Sequence, residues 1–163
     1  IQEAIEKWTS IKEDFKDLNL HMIGKIQSNK VKLVVPLFDY IHSLDNLKLA
    51  TKISSEQKNY NKNIKIFIQV NIGDEPQKSG ISPDNLLSFK NKCVDELNLN
   101  IIGLMCLPPI NKEPSVYFKE MNYLLKKIDL KELSMGMSND YLEAVNYNSS
   151  YVRIGSKIFG NRN

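Results

Sequence analysis

The sequence predicts an α/β fold built on a parallel sheet, closed either as an open doubly wound sheet or as a (β/α)8 barrel with about six of its β/α units in this chain. Three observations carry that expectation. Short apolar runs alternate with longer amphipathic ones along the chain, the rhythm of βαβ units. The clearest strand, IKIFIQVNI, is rich in β-branched residues and apolar at nearly every position, as suits a strand covered on both faces. The 163 residues suffice for one sizeable core and not for two, so a single domain over 1–163 is expected.

The elements follow in order. Over residues 1–15 apolar side chains recur three or four apart, at Ile5, Trp8, Ile11 and Phe15, which is a helical period. HMIG (21–24) is a short strand. SNKVKLVVPLF (28–38) is a helix that Pro36 ends or unsettles, because proline has no N–H to donate. DYIHSL (39–44) is the second strand, and Asp45 is the expected N-cap of the helix after it. IKIFIQVNI (64–72) is the third. The loop GDEPQKSGIS (73–82) leads into a helix with Pro83 at its first position, running to about residue 97. NIIGLMCL (100–107) is the fourth strand, followed by the loop PPINKEP (108–114) and a helix over 115–128. ELSMGM (132–137) is the fifth strand and SNDYLEAVNY (138–147) a helix; YVRIG (151–155) is the sixth strand and SKIFGNR (156–162) a short helical tail.

Composition excludes several classes of function. With 42% apolar and 25% charged residues the chain is an ordinary soluble domain, and no apolar run approaches the roughly 20 residues of a membrane span. The net charge of +3 is spread along the chain, so neither nucleic acid nor a membrane surface is expected as a partner. Cys93 and Cys106 fall in different elements and there are only two histidines, so no metal site is expected and a reduced, cytoplasmic compartment is. The chain opens at Ile1 on a helical pattern rather than a leader, and the expectation is that it is N-terminally incomplete.

In either closure ligands bind beyond the C-terminal ends of the strands. At the last two units these positions hold Met137-Ser138-Asn139 and Arg153-Ile154-Gly155-Ser156. Ser138 reads as an N-cap for the helix after it, and a hydroxyl at a helix start can also hold a phosphate. Gly155 permits close backbone approach, and Ser156 offers a hydroxyl and an N–H at the start of a short helix, where barrels recurrently place a phosphate site. Arg153 is either a cation aimed at a ligand or an arginine that snorkels from the strand end or pairs with a core carboxylate, since burial without a partner is costly. His21 and His42 read as satisfied, half-buried histidines, and Met22, Met105, Met135 and Met137 as core filling. Lys78 sits in a loop that is usually a solvated connector. No P-loop, GxGxxG after a strand, HExxH or GxSxG is present.

Six segments in order, HMIGKIQSNKVK, YIHSLDN, IQVNIGDEPQKSGI, GLMCLPP, LSMGMSNDYLEAV and VRIGSKIFGNR, closely resemble the YggS/PROSC family of pyridoxal 5′-phosphate (PLP) homeostasis proteins. That family is related to the barrel domain of alanine racemases, and the match covers essentially the whole chain. The resemblance implies an alanine-racemase-like (β/α)8 barrel of TIM type that binds PLP as cofactor at its C-terminal mouth. It implies Ser138, Gly155 and Ser156 at the phosphate, Arg153 facing the pyridine nitrogen, and Met137 beside the cofactor. A cation there keeps the nitrogen unprotonated and weakens the ring as an electron sink. The family's Schiff-base lysine ends the first barrel strand and falls upstream of Ile1; Lys25, Lys78 and Lys157 do not match it, although Lys78 matches a recurrent lysine of the loop.

Intracellular PLP homeostasis without substrate turnover is the function so implied, with no catalytic residues, PLP-dependent enzymes as clients and a monomer as the complete form. A PLP-dependent racemase is the alternative, but racemases of this type take a second acid/base tyrosine from another domain. A degenerate chain without PLP is a third reading, against which the retained Ser138, Arg153, Gly155 and Ser156 count.

Overall fold

The computed structural model describes residues 1–75 and 79–160. Its strands β1 (His21–Met22), β2 (Tyr40–Leu44), β3 (Lys65–Val70), β4 (Asn100–Cys106), β5 (Glu132–Met137) and β6 (Tyr151–Arg153) form one parallel sheet in the order of the sequence. Helices α1 (Gln2–Asp14), α2 (Val31–Leu37), α3 (Leu47–Tyr60), α4 (Leu86–Asn91), α5 (Pro114–Lys127), α6 (Tyr141–Asn146) and α7 (Ser156–Phe159) alternate with them. The strand order decides between the two closures. A doubly wound sheet reverses its order at a switch point, whereas right-handed crossovers in unreversed order place every helix on one face. The sheet is therefore a curled half-barrel. The curl is strong enough that the rings of His21 in β1 and Tyr151 in β6, the two outer strands, lie 5.7 Å apart.

Alternation along the strands divides the apolar residues into two layers. Ile41, Ile66, Ile68, Leu104, Leu133 and Met135 face outward and join Leu49, Ile53, Phe118 and Met121 of the helices in the main core. Tyr40, Phe67 and Met105 face inward and form a smaller layer inside the curl with Ile102 and Tyr151. Two glycines let backbones approach. A Cβ on Gly103 would stand 2.0 Å from the carbonyl oxygen of Glu132, and one on Gly136 would stand 2.6 Å from the Ala144 Cβ. Gly136 also has φ +90°, a conformation that side-chain-bearing residues rarely adopt.

Several local expectations are corrected. The N-cap of α3 is Asn46, whose Oδ1 accepts from Leu49 N–H at 2.8 Å; Asp45 instead accepts from the Asn46 amide. Pro36 behaves as expected: it lies inside α2, and the helix stops one residue later at Leu37. Lysines reach that end from two directions, Lys12 Nζ donating to Leu37 O and Lys62 Nζ to Pro36 O. The helix expected over 83–97 is three pieces: a 3-10 turn Pro83–Asn85, then α4, then a π turn Lys92–Glu96. The widened turn lets Leu97 N–H bond Lys92 O and Leu99 N–H bond Cys93 O, feeding the chain directly into β4. Both cysteines are free and buried. No helix among the described residues is long and apolar enough to cross a membrane.

Candidate functional site

The ends of β5 and β6 bring the sequence-selected residues together. Met137 and Arg153 are register partners across the two strands. Ser138 follows β5, and Gly155-Ser156 follow β6 into α7. Ser138 does not cap the helix after it. The residue preceding α6 is Asp140, whose Oδ1 accepts from Met137 N–H at 2.6 Å and fixes the turn out of β5. The Ser138 hydroxyl oxygen instead accepts from Gly155 N–H at 3.2 Å and Lys157 N–H at 3.3 Å, tying the first turn of α7 to the end of β5. Both bonds use oxygen lone pairs, so the hydroxyl proton stays available to an anion. A Cβ on Gly155 would meet nothing within 4 Å, so open space lies over its backbone. Met137 is 49% exposed rather than core filling, whereas Met105 and Met135 are buried as expected.

Arg153 is paired, but with neutral groups. Nη1 donates to Ser134 Oγ at 2.7 Å and Nη2 to the Cys106 carbonyl at 2.8 Å. The guanidinium thus lies across the inner face of β5 toward the end of β4. Burial lowers its pKa, while the Cys106 and Asp140 side chains act to raise it. A guanidinium has five N–H groups, so donors remain beyond these two bonds.

Sequence reasoning missed what stands beneath Arg153. Ser134 is fully buried, and its Oγ also lies 2.8 Å from His42 Nδ1. His42 Nε2 lies 2.9 Å from His21 Nδ1. The His42 ring stacks on Phe67 with centroids 4.3 Å apart, and His21 stacks on Tyr40 at 4.0 Å. Burial first, then the positive charges of His21 and Arg153, press the His42 pKa down to about 3. His21 is half-buried and hydrogen-bonded as read from sequence, whereas His42 is satisfied but fully buried rather than half-buried. The signal that marks the pair is period-two alternation, which turns Tyr40 and His42 to the same inner face. At the floor, Lys65 Nζ donates to Tyr40 Oη at 3.0 Å. Hydrogen bonds from Lys65 and Tyr151 lower the Tyr40 pKa.

Two of the three lysines singled out fall among the described residues. Lys25 Nζ bonds Ser79 Oγ at 2.9 Å, and Lys157 Nζ lies 4.9 Å from the Tyr141 ring centroid. Lys78 lies outside the described residues. Among the described residues no group of three or more His, Cys, Asp or Glu could hold a metal ion.

The model of the alanine racemase N-terminal domain matches residues 1–163. The chain is 34% identical to the pyridoxal phosphate homeostasis protein of Pasteurella multocida, covering 99% of this chain and 74% of that protein. The chain belongs to this family. The corresponding protein of Synechocystis sp. is 36% identical, over 99% of this chain and 78% of its own length. Among solved structures, PipY of Synechococcus elongatus without PLP superposes with a TM-score of 0.90 at 31% identity, over 98% of this chain and 78% of that one. The same protein with PLP bound gives 0.85 at 30% identity, over the same shares of the two chains. Alanine racemase of Acinetobacter baumannii, at 14% identity and a TM-score of 0.74 over 99% of this chain and 47% of that one, shares the fold alone. The half-barrel is thus the YggS/PROSC architecture, as the sequence motifs implied.

Proposed function

We propose that the protein binds PLP at the C-terminal mouth of its half-barrel and serves PLP homeostasis, carrying the cofactor without turning over a substrate. The observation that carries this reading is Arg153, a guanidinium held under the mouth by Ser134 and the Cys106 carbonyl beside Met137 and Ser138. The residues present fit the group. Ser138 has a hydroxyl proton to give to a phosphate, and Gly155 and Ser156 line open space at the start of α7. Arg153 offers a fixed cation to a ring nitrogen, and Met137 an exposed thioether to a ring face. When bound, PLP supplies a reactive aldehyde and a conjugated ring; the cation opposite its nitrogen limits the ring's capacity to withdraw electrons. Arg153 orients and Ser138 binds. Homeostasis rather than racemisation is supported by relatives at 33–36% identity named for homeostasis, against a racemase at 14%. In this reading the protein works in the cytoplasm, with PLP-dependent enzymes as clients.

Titration with PLP, followed by visible absorbance, tests the site. Arg153→Ala and Ser138→Ala are each expected to weaken binding about tenfold, the worth of one charge-assisted hydrogen bond, with the fold intact by circular dichroism. Unchanged affinity in both removes the site assignment. Formation of D-alanine from L-alanine at a rate above the cofactor alone would favour the racemase reading instead.

A further inference from the structure

Four side chains from four strands form one continuous polar chain through the inside of the sheet: His21 in β1, His42 in β2, Ser134 in β5 and Arg153 in β6. Elementary donor and acceptor counting gives this chain a direction. Arginine only donates, so Ser134 Oγ accepts from Arg153. Ser134 is fully buried, and its own proton has one acceptor in reach among the described residues, His42 Nδ1. A neutral imidazole carries one N–H, so with Nδ1 accepting, the proton sits on Nε2 and is donated to His21 Nδ1. Every donor therefore points away from Arg153 and toward the barrel floor. The opposite polarity would leave the buried Ser134 proton without an acceptor.

We propose that His21, His42 and Ser134 are positioning residues for Arg153, forming a one-directional hydrogen-bonded rail that a proton taken up at His21 reverses. The proposal rests on the reading that Arg153 faces the ring of PLP. A proton on His21 Nδ1 places two hydrogens in a gap of 2.9 Å, which His42 relieves only by shifting its own proton to Nδ1. Ser134 then accepts from both His42 and Arg153 through its two lone pairs, its own buried proton is orphaned, and the cost of that unpaired donor falls on the geometry that holds the guanidinium. The groups facing His21 are Asp39, which favours the charged form, Lys65, which opposes it, the neutral His42, and the phenols of Tyr40 and Tyr151. Those facing His42 are His21, Arg153 and the rings of Tyr40, Phe67 and Tyr151. Burial holds the His21 pKa below its usual 6.5, so the rail keeps its outward polarity at neutral pH and reverses on acidification.

Two measurements on the full chain test the rail. Long-range 1H–15N NMR of the protein without cofactor reads the tautomer directly, and His42 is expected to carry its proton on Nε2. Affinity is read with pyridoxine 5′-phosphate, which has no aldehyde and so probes the pocket alone. His42→Phe, which keeps the stacking surface, and Ser134→Ala are each expected to weaken it about tenfold, one hydrogen bond to a charged group. His42→Asn, whose Oδ1 replaces the accepting nitrogen, is expected to recover most of that loss. Between about pH 8 and about pH 5.5 the native protein is expected to lose more affinity than His21→Asn, which cannot titrate. A His42 proton on Nδ1 overturns the rail. So does native affinity in Ser134→Ala and in folded His42→Phe while Arg153→Ala binds weakly. Native affinity in Arg153→Ala overturns the ligand reading itself and the proposal with it, whatever the tautomer.

Discussion

At the scale of single residues, the site works by giving each polar atom one task. Ser138 spends its lone pairs on Gly155 and Lys157 and keeps its proton. Ser134 accepts from Arg153 and gives its proton to His42. His42 must remain neutral to do its part, and this has a consequence for stability. Its pKa is about 3 in the folded protein and near 6.5 in the unfolded chain. Between those values the unfolded chain binds a proton that the folded chain excludes, so stability rises with pH through this window and is flat above it. The native unfolding free energy is expected to fall below pH 6.5 with a slope approaching about 1.4 kcal/mol per pH unit from this group. His42→Phe should lack that part of the slope. Urea unfolding of both proteins from about pH 7 to about pH 5 measures the difference; parallel curves would mean that His42 is protonated in the fold.

At the scale of elements, each strand end is fixed by something that follows it. Asp140 fastens the turn after β5, and Ser138 fastens α7 to the same strand. Gly136 lets α6 come down onto β5. Replacing Gly136 with alanine combines a disfavoured positive φ with a contact of 2.6 Å to the Ala144 Cβ. The expected cost is about 3 kcal/mol, strain and overpacking together. Equilibrium denaturation checks it, and a loss below about 1 kcal/mol would mean that α6 shifts freely. The C-terminal end of α2 shows the same logic with charges. Lys12 of α1 and Lys62 beyond α3 cap its carbonyls, and both form ion pairs with Asp39 at the start of β2.

At the scale of the whole molecule, the curl brings distant strands into one inner layer. Phe67 of β3 touches the rings of both His42 in β2 and Tyr151 in β6. Phe67→Ala is therefore expected to cost about 3–5 kcal/mol, as for a large ring removed from a core. Its effect should be non-additive with Tyr151→Ala, because the two rings share one layer; a double-mutant cycle by thermal unfolding measures the coupling. Additive losses would mean that the inner layer is not a single packed unit.

What the chain determines by itself is local and periodic. The six strands and their alternation with helices follow from apolar spacing. Gly155, Ser156 and Ser138 are visible because special residues stand where strands end. Arg153 is visible because a charge interrupts an apolar run. Caps were less legible: Asp45 and Asn46 are neighbours of nearly equal capping strength, and only the backbone angle at Asn46 selects between them. The tertiary structure alone decided which inward-facing residues meet. Alternation places His42 and Ser134 on an inner face, but they are 92 positions apart, and Arg153 and the Cys106 carbonyl are 47 apart. Sequence period records direction from the strand and not distance across the curl. Pairing over such separations is set by sheet twist and strand order acting together, so the polar rail under Arg153 exists only once the sheet has closed around it.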